Sequence, residues 1–244
     1  MKNVNSTKEL KRNEKNSKFV YADEICVCCG NTSLPNDMLC KACKDKADEE
    51  KEKKMTNKEK FLELCKCNIS RDGIKDLLAW LEKSDFYTAP ASTRFHGNYE
   101  GGLLEHSLNV YDMLFKTCEM CKQNFSHETL AIVSLFHDLC KTYFYKKEFK
   151  NQKVGGKWVE KEVYVQDDQM PLGHGEKSVI IIQRFMQLTL EETLAIRWHM
   201  NGFDFAVKGG DYGLSKAQDL TKLVTLLQVA DMLASGILEE AKNV

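Results

Sequence analysis

The residues best suited to chemistry are an adjacent histidine and aspartate, His137 and Asp138, within the apolar run 130–139. The run has helical periodicity, and neighbouring helical residues point about 100° apart, so the two side chains do not share one face. Both can nevertheless reach a metal ion in a groove between helices. Lys141 follows three residues after Asp138 and lies over the same groove if the helix continues that far. The pair alone is weak evidence for a metal site, since a partly buried His-Asp couple is a common structural feature.

Further candidate ligands occur in helical contexts along the same part of the chain. In chain order they are His106, His174, His199 and Asp231. Each has a structural alternative, because a histidine on an apolar face is usually a satisfied core residue and one at a helix end is favoured by the dipole. An aspartate in an apolar helix is costly to bury unless it is paired or bound to metal. The combination favours one metal site over several unrelated structural roles.

The mixture of imidazole and carboxylate groups suggests which metals would bind. Such ligands suit one or two divalent transition metals, namely Mn, Fe, Zn, Co or Ni, better than they suit calcium. Two such ions a few ångströms apart can share a bridging hydroxide and clamp an in-line displacement at phosphorus. The loop before His106 adds two cationic or hydrogen-bonding groups, Arg94 and His96.

A second set of candidate ligands lies near the N-terminus. Cys26 and Cys29 form one Cys-x-x-Cys pair, and a second pair follows at Cys40 and Cys43. Each pair can bind one side of a tetrahedral zinc ion, and a closed four-cysteine site is structural. Residues 23–46 are too few to bury a core, so zinc would supply the folding energy. The alternative is a set of free thiols. Such a zinc-ribbon-like module binds nucleic acid or protein, or only holds the chain in place.

Composition restricts the class of protein. The 244 residues allow one ordinary domain plus a small module, and 43% hydrophobic residues suffice for a core. A net charge of −1 gives no global sign of nucleic-acid or membrane binding. No apolar run approaches the roughly 20 residues of a membrane span, and residues 1–18 lack the apolar core of a secretion signal. We therefore expect no membrane partner and a cytoplasmic location, in which the ten cysteines stay reduced.

The chain divides into four predicted segments. Residues 1–22 are polar and predict a disordered tail. The zinc-ribbon-like module at 23–46 follows, and a charged linker at 47–56 leads to one domain over 57–244.

Most of the periodicity in the last segment is helical. Thr56 and Ser70 are predicted to cap the first two helices, and residues 220–238 form one long apolar helix. Residues 143–165 alternate apolar and polar side chains around a Gly-Gly turn, which predicts a β-hairpin beside the histidine-aspartate groove. The expected fold class is mainly α, a helical bundle with a small β-hairpin insertion.

Five motifs in this order resemble a known superfamily. They are Gly-Gly-Leu-Leu-Glu-His106-Ser, Leu-Phe-His137-Asp138-Leu-Cys-Lys141, Gly-His174-Gly, Trp-His199-Met and Ala-Asp231-Met. On these motifs the chain from about Thr56 to Asn243 is similar to the HD-superfamily metal-dependent phosphohydrolases. The stretch from Tyr87 to His106 is particularly similar to the 3′–5′ exoribonuclease branch of Gram-positive bacteria. That branch carries an OB-type domain ahead of the HD domain, whereas this chain has the cysteine module there.

The resemblance implies an all-helical bundle and roles for individual residues. The residues that match the ligands of a first metal are His106, His137, Asp138 and Asp231. In two-metal branches a second ion is bound by the counterparts of His174 and His199, with Asp138 bridging. Lys141 matches a lysine that contacts a phosphate oxygen, although the family usually has glycine where this chain has Cys140.

The expected function is hydrolysis of a phosphoester bond of a nucleotide through a metal-activated hydroxide. The residues expected to take part in catalysis are Asp138, Lys141, Arg94 and His96. Glu105 and Glu176 adjoin proposed ligands and could orient them. The near-neutral charge favours small nucleotides over long RNA.

Two alternatives remain open. The first is a 3′–5′ exonuclease or cyclic-nucleotide phosphodiesterase, in which the zinc module recruits a nucleic-acid end. The second is a non-catalytic nucleic-acid- or protein-binding module.

Overall fold

The computed structural model describes residues 10–12, 19–21 and 55–239, which fall into two units divided after Met55. In the first unit, β1 (Leu10–Arg12) and β2 (Phe19–Tyr21) form an antiparallel pair. The rest of the predicted tail and most of the linker lie outside the described residues. So do the four predicted zinc ligands, Cys26, Cys29, Cys40 and Cys43.

The described part of the second unit is mainly helical, as predicted. Its helices are α1 (Asn57–Asn68), α2 (Ile74–Lys83), α3 (Gly102–Met120), α4 (His127–Phe136), α5 (His174–Gln183), α6 (Leu190–Trp198), α7 (Phe205–Lys208), α8 (Gly213–Leu220) and α9 (Lys222–Leu233). Short 3₁₀ turns occur at Leu139–Lys141 and Asn201–Phe203, and a π-helical turn at Ala234–Leu238 follows α9.

The first two helices begin in different ways. Thr56 caps α1 as predicted, because its hydroxyl accepts from the Glu59 amide while the Glu59 carboxylate accepts from the Thr56 amide. The predicted cap of α2 at Ser70 is wrong. That helix starts after Gly73, whose φ is 90°. The amide and hydroxyl of Ser70 instead donate to the carboxylate of Glu128, at 2.8 and 3.1 Å.

The core is built around α3, which packs against α4 and α9, while α9 also contacts α6. Leu114 of α3, Phe136 of α4 and Leu227 of α9 are fully buried there. Burial of such apolar side chains is the main favourable term in folding. Because the last turn of α4 ends inside this core, the residues that follow Phe136 have fixed positions.

The predicted single helix over residues 220–238 is wrong in detail. Thr221 has extended backbone, with φ −147° and ψ 136°, so α8 ends before it and α9 begins after it. No single helix among the described residues is long and apolar enough to span a membrane. The consecutive helical segments Gly213–Leu220 and Lys222–Leu238 together have the length and apolar composition of a membrane span, but a bend of 109° separates them.

The predicted hairpin is confirmed. Strands β3 (Tyr145–Val154) and β4 (Lys157–Gln166) pair antiparallel, with Tyr145 opposite Gln166. Gly155 and Gly156 form the two-residue turn, with φ 58° and 86°. A turn with positive φ at both positions matches the twist of the flanking strands, and glycine adopts it without steric cost.

An ion pair between Arg71 and Glu192 joins the start of α2 to α6. The guanidinium Nη2 lies 3.0 Å from the carboxylate Oε1, and Glu192 is fully buried. Removing the cation would leave a buried carboxylate without its charge partner, which costs about 3–5 kcal/mol. We expect Arg71→Ala to lower the free energy of unfolding, measured with urea, by about 3 kcal/mol.

The exposed pair of Lys58 and Glu82 is the matched control for this prediction. Lys58→Ala should lower the free energy of unfolding by less than about 1 kcal/mol, because solvent screens an exposed pair. Equal effects of the two substitutions would show that burial of the Arg71 pair contributes nothing.

Candidate metal centre

The end of α4 separates His137 from Asp138. His137 keeps helical backbone angles, whereas Asp138 has φ −105° and ψ 21°, and the 3₁₀ turn Leu139–Lys141 follows. The change of direction allows both buried side chains to face the same space. Helix α4 does not continue to Lys141, which was the condition for placing this lysine over the groove. The turn nevertheless brings the Lys141 Nζ to 2.7 Å from the Asp138 Oδ2.

The structure brings together all six side chains predicted as metal ligands. They are His106 of α3, His137 and Asp138 after α4, His174 at the start of α5, His199 after α6 and Asp231 of α9. The Nε2 atom of His106 lies 3.2 Å from the Nε2 of His137 and 3.3 Å from the Oδ1 of Asp231. Five helices, or the residues that directly follow them, thus contribute to one cluster in the interior of the domain.

Asp138 lies between two pairs of histidines. Its Oδ1 is 2.7 Å from the Nε2 of His174 and 3.5 Å from that of His199. Its Oδ2 is 3.5 Å from the Nε2 atoms of both His106 and His137. Each pair, taken with Asp138, places three ligand atoms within 4.8 Å of one another. One carboxylate oxygen therefore faces each side, an arrangement suited to two ions that share Asp138.

Hydrogen bonds on the far side of two rings fix which nitrogen faces the cluster. The Nδ1 of His137 is 2.8 Å from the Ser134 carbonyl oxygen, and that of His199 is 2.7 Å from the Ile196 carbonyl oxygen. Because a carbonyl only accepts, each Nδ1 carries a proton, and each Nε2 of a neutral ring presents a lone pair. This is the usual arrangement of metal-binding histidines.

The Nε2 of His199 provides a direct test of whether the cluster fits a metal. Among the described residues this buried atom has no hydrogen-bond partner. A buried acceptor without a partner costs about 1–3 kcal/mol, and a divalent cation would satisfy it. The residues present therefore fit a transition-metal ion.

Burial and neighbouring charges decide the protonation of each group in the cluster. Burial lowers the pKa of His137 to about 3, so this ring is neutral. Burial also opposes protonation of His106, but hydrogen bonds and charges from Asp231 and Glu239 raise its pKa to about 10. Burial alone would raise the pKa of Asp138, whereas Lys141 and the histidines hold it well below its usual range. The carboxylates thus remain ionised and favour a cation between them.

The sequence did not predict Glu239. Both of its carboxylate oxygens lie 3.1 Å from the Nδ1 of His106, and Asn109 donates to the Oε1 at 3.0 Å. The π-helical turn after α9 carries Glu239 to this position. No local sequence pattern marks this contact, because the turn that produces it interrupts the helical periodicity. The carboxylate fixes the orientation of the His106 ring and increases its basicity.

The two glutamates proposed from the sequence as orienting groups have other contacts. A carboxylate oxygen of Glu176 is 2.6 Å from a guanidinium nitrogen of Arg197. Glu105 makes a side-chain hydrogen bond with Tyr99.

We expect Glu239→Gln to weaken metal binding at the cluster about tenfold, because the amide keeps a hydrogen-bond acceptor but loses the charge. The measurement is the dissociation constant of Mn²⁺ by calorimetry. Glu119→Gln, on the exposed surface of α3, is the control. Equal dissociation constants for the two variants would contradict a role of Glu239 in orienting His106.

His96 and Arg94 lie in different environments despite their proximity in sequence. The His96 ring centroid is 5.1 Å from that of His106, and His96, His106 and Glu239 form a further group of candidate ligand atoms within 4.8 Å. Burial lowers the pKa of His96 to about 4. Arg94 is exposed and lines a cavity beside the loop. The structure thus brings His96 to the cluster and leaves Arg94 at its periphery.

Cys140 replaces the glycine that usually precedes the motif lysine. Its thiol is buried and lies 3.3 Å from the Nε2 of His174, while its amide donates to the Ser178 hydroxyl at 3.0 Å. Burial raises the pKa of the Cys140 thiol. The larger residue packs against His174, and Lys141 still contacts Asp138.

Comparison with known proteins gave two matches. Residues 103–236, which contain all six predicted ligands, match the HD domain family. The chain is 34% identical over 61 residues to the dihydroneopterin 2′,3′-cyclic phosphate phosphodiesterase of Methanocaldococcus jannaschii, over 23% of this chain and 24% of that protein. The chain thus matches about a quarter of the length of this curated relative. No solved structure gives a significant match.

Proposed function

Because the chain belongs to the HD domain family, we propose that it is a metal-dependent phosphohydrolase that cleaves a phosphoester bond of a nucleotide. One observation carries the proposal. Four imidazoles and two carboxylates direct their ligand atoms into one space, with Asp138 between two pairs of histidines.

The proposed metals are one or two divalent ions among Mn, Fe, Zn, Co and Ni. The residues that would hold the first ion are His106, His137, Asp138 and Asp231, and those that would hold a second are Asp138, His174 and His199. When bound, such an ion supplies Lewis acidity and makes a water-derived nucleophile available at neutral pH.

Lys141 is proposed to stabilise negative charge on the phosphoryl oxygens. Its ammonium lies 2.7 Å from the Asp138 Oδ2, beside the proposed metal ligands, and its side chain is 12% exposed. Burial opposes its charge, but the nearby carboxylate of Asp138 raises the pKa of Lys141 above its usual value. The lysine therefore stays cationic at neutral pH, as a group that stabilises developing charge must.

His96 is proposed to act as a neutral hydrogen-bonding group. Because burial lowers its pKa to about 4, its ring carries no charge at neutral pH. It can donate one hydrogen bond to a phosphate oxygen without adding a second cation beside Lys141.

The exposure of the cluster indicates where a substrate would enter. The side chains of His174 and Asp231 are 29% and 18% exposed, whereas those of His106, His137, Asp138 and His199 are at most 3% exposed. A scissile phosphate would therefore approach from the side of His174 and Asp231.

A second candidate function is hydrolysis of a cyclic phosphodiester. It is favoured by the relative from Methanocaldococcus jannaschii, whose name states that it acts on a 2′,3′-cyclic phosphate. A 3′–5′ exonuclease, with the cysteine module recruiting the nucleic-acid end, is the remaining enzymatic alternative.

A substrate panel tests these proposals. The full chain with added Mn²⁺ would be assayed on nucleoside mono- and triphosphates, 2′,3′- and 3′,5′-cyclic nucleotides, and short single-stranded RNA. Turnover of free nucleotides supports the main proposal, ring opening of cyclic nucleotides supports the second, and stepwise shortening of RNA supports the exonuclease. Failure to cleave any of them, with metal shown to be bound, would overturn the enzymatic proposals in favour of a binding module.

A further inference from the structure

A cavity of about 980 Å³ lies between the loop that precedes α3 and the β3–β4 hairpin. The residues lining it that matter here are Arg94, Tyr99, Lys147, Lys150, Glu162 and Tyr164. None of the six predicted metal ligands lines this cavity. The proposed chemistry at phosphorus therefore assigns no role to this cavity.

One wall of the cavity is formed by the loop that also carries His96. His96 lies against His106, with 5.1 Å between the ring centroids, and belongs to a group of candidate ligand atoms there. Arg94 and Asn98, two residues away on either side, both line the cavity. The loop that carries His96 to the metal centre therefore also forms part of the cavity wall.

The other wall of the cavity is the hairpin, and the base of the hairpin contacts the same loop. The Tyr145 hydroxyl donates to the Ala91 carbonyl oxygen at 3.2 Å, which fastens the base of the hairpin to the loop. The Tyr145 ring centroid is 6.5 Å from that of Tyr164, which lines the cavity. Tyr145 thus connects the loop that precedes α3 to Tyr164 in the cavity wall.

The lining combines aromatic surface with positive charge. The Lys147 Nζ lies 5.5 Å from the Tyr164 ring centroid and 3.1 Å from a carboxylate oxygen of Glu162, which holds the lysine beside the ring. Arg94 and Lys150 add two more cations. Aromatic side chains bind nucleobases by stacking, and cations bind phosphate oxygens. Glu100 and Glu162 also line the cavity, so its wall carries three cations, two carboxylates and one net positive charge.

The size of the cavity also suits this class of ligand. Pockets for small molecules commonly enclose about 300–1,000 Å³, and this cavity is at the upper end of that range. It therefore has room for a base and a sugar together.

We propose that the hairpin cavity binds the nucleoside half of the substrate, with the base against Tyr164, while the scissile phosphate lies at the metal centre. This inference rests on the proposed phosphohydrolase function and adds a site for the part of the substrate that does not react. The hairpin is then a specificity element, and binding energy gained in the cavity positions the phosphate.

The experiment compares esters with and without a base. The pair is a nucleoside monophosphate and glycerol 2-phosphate, or, if the enzyme cleaves diesters, a 2′,3′-cyclic nucleotide and glycerol 1,2-cyclic phosphate. The quantity measured is the ratio of kcat/KM for the two members of the pair with Mn²⁺-loaded full chain. We expect Tyr164→Ala to lower this ratio about tenfold or more, because alanine substitution of a stacking aromatic commonly has that effect.

Two variants control for changes in hairpin structure. Tyr164→Phe keeps the ring and should restore the preference for the ester with a base. Trp158→Ala removes an exposed aromatic residue from the same strand, opposite Lys153 near the turn and outside the cavity lining, and should keep the wild-type ratio.

The outcomes separate the two levels of the proposal. If the wild type cleaves neither ester, the proposed function fails and this inference fails with it. If it cleaves both and Tyr164→Ala keeps the wild-type ratio, the function stands and the nucleoside site is wrong. If Tyr164→Ala does not fold, calorimetry of the wild type with the free nucleoside decides. Binding at millimolar concentration or tighter supports the site, and its absence overturns it.

Discussion

Asp138→Asn is expected to abolish metal binding and turnover together, with kcat/KM reduced at least about 1,000-fold. The asparagine keeps the shape of the side chain but loses the charge, and one of its oxygens becomes an amide nitrogen that cannot bind a cation. Because the two carboxylate oxygens of Asp138 face both pairs of histidines, the change would affect an ion on either side. The measurements are metal content per chain and turnover of the best substrate.

Asp112→Asn is the matched control for this prediction. Asp112 lies on α3, is 42% exposed and pairs with Lys60 at 3.1 Å. It should keep both the metal content and the activity of the wild type. Activity of Asp138→Asn near the wild-type level would show that the cluster around Asp138 is not the catalytic site.

Lys141→Met is expected to lower kcat about 100- to 1,000-fold while the metal content stays near that of the wild type. Methionine fills a similar volume but removes the cation proposed to stabilise charge on the phosphoryl oxygens. The metal ligands remain, since no role in binding the ion is proposed for Lys141. The split between metal content and kcat distinguishes this variant from Asp138→Asn.

Lys116→Met, at an exposed position of α3, is the control for the loss of one positive charge. If Lys141→Met lost its metal, the lysine would be a structural partner of Asp138 and not a group that acts on the substrate. Unchanged kcat would show that it has no part in catalysis.

The six cluster residues could be predicted together because their motifs occur in a recognisable order and several of them interrupt an apolar pattern. Asp231 in α9 and His106 in α3 lie on helices whose inward-facing residues are mostly apolar. A polar side chain at such a position requires a partner, and the partners are the other members of the cluster. Their binding of metal and their catalytic roles stay predictions.

Glu239 escaped prediction for a physical reason. Its contact with His106 spans 133 residues and depends on the π-helical turn Ala234–Leu238. The sequence instead predicted one continuous helix over 220–238. Turns of this kind commonly occur at functional sites, but local periodicity does not reveal them.

The different positions of Arg94 and His96 could not be read from the sequence either. Both are basic or hydrogen-bonding residues of one loop, and nothing in the sequence distinguishes the direction in which each side chain points. The backbone conformation beside them determines their directions. Gly97 has φ 56°, and its carbonyl accepts from the Ala91 amide at 2.8 Å. The loop therefore closes on itself, with His96 towards His106 and Arg94 towards solvent.

The strands and turn of the hairpin could be predicted from the sequence, whereas the cavity beside the hairpin could not. Alternation of residues and the two glycines at 155–156 predicted the strands and their turn. The cavity depends on how the hairpin packs against a loop about 50 residues earlier, which alternation does not encode. The Tyr145–Ala91 hydrogen bond that joins them is visible only in the structure.

The most direct test of the central claim is metal content measured together with turnover, in the full chain and in Asp138→Asn. Both proteins would be stripped with chelator, loaded with Mn²⁺, freed of excess metal and analysed for bound ions per chain. The difference between them isolates this centre from any ion at the cysteine pairs. We predict that the variant loses one or two ions per chain, and that wild-type turnover is removed by chelator and restored by Mn²⁺. Equal metal content in the two proteins, or turnover that persists without metal, would contradict it.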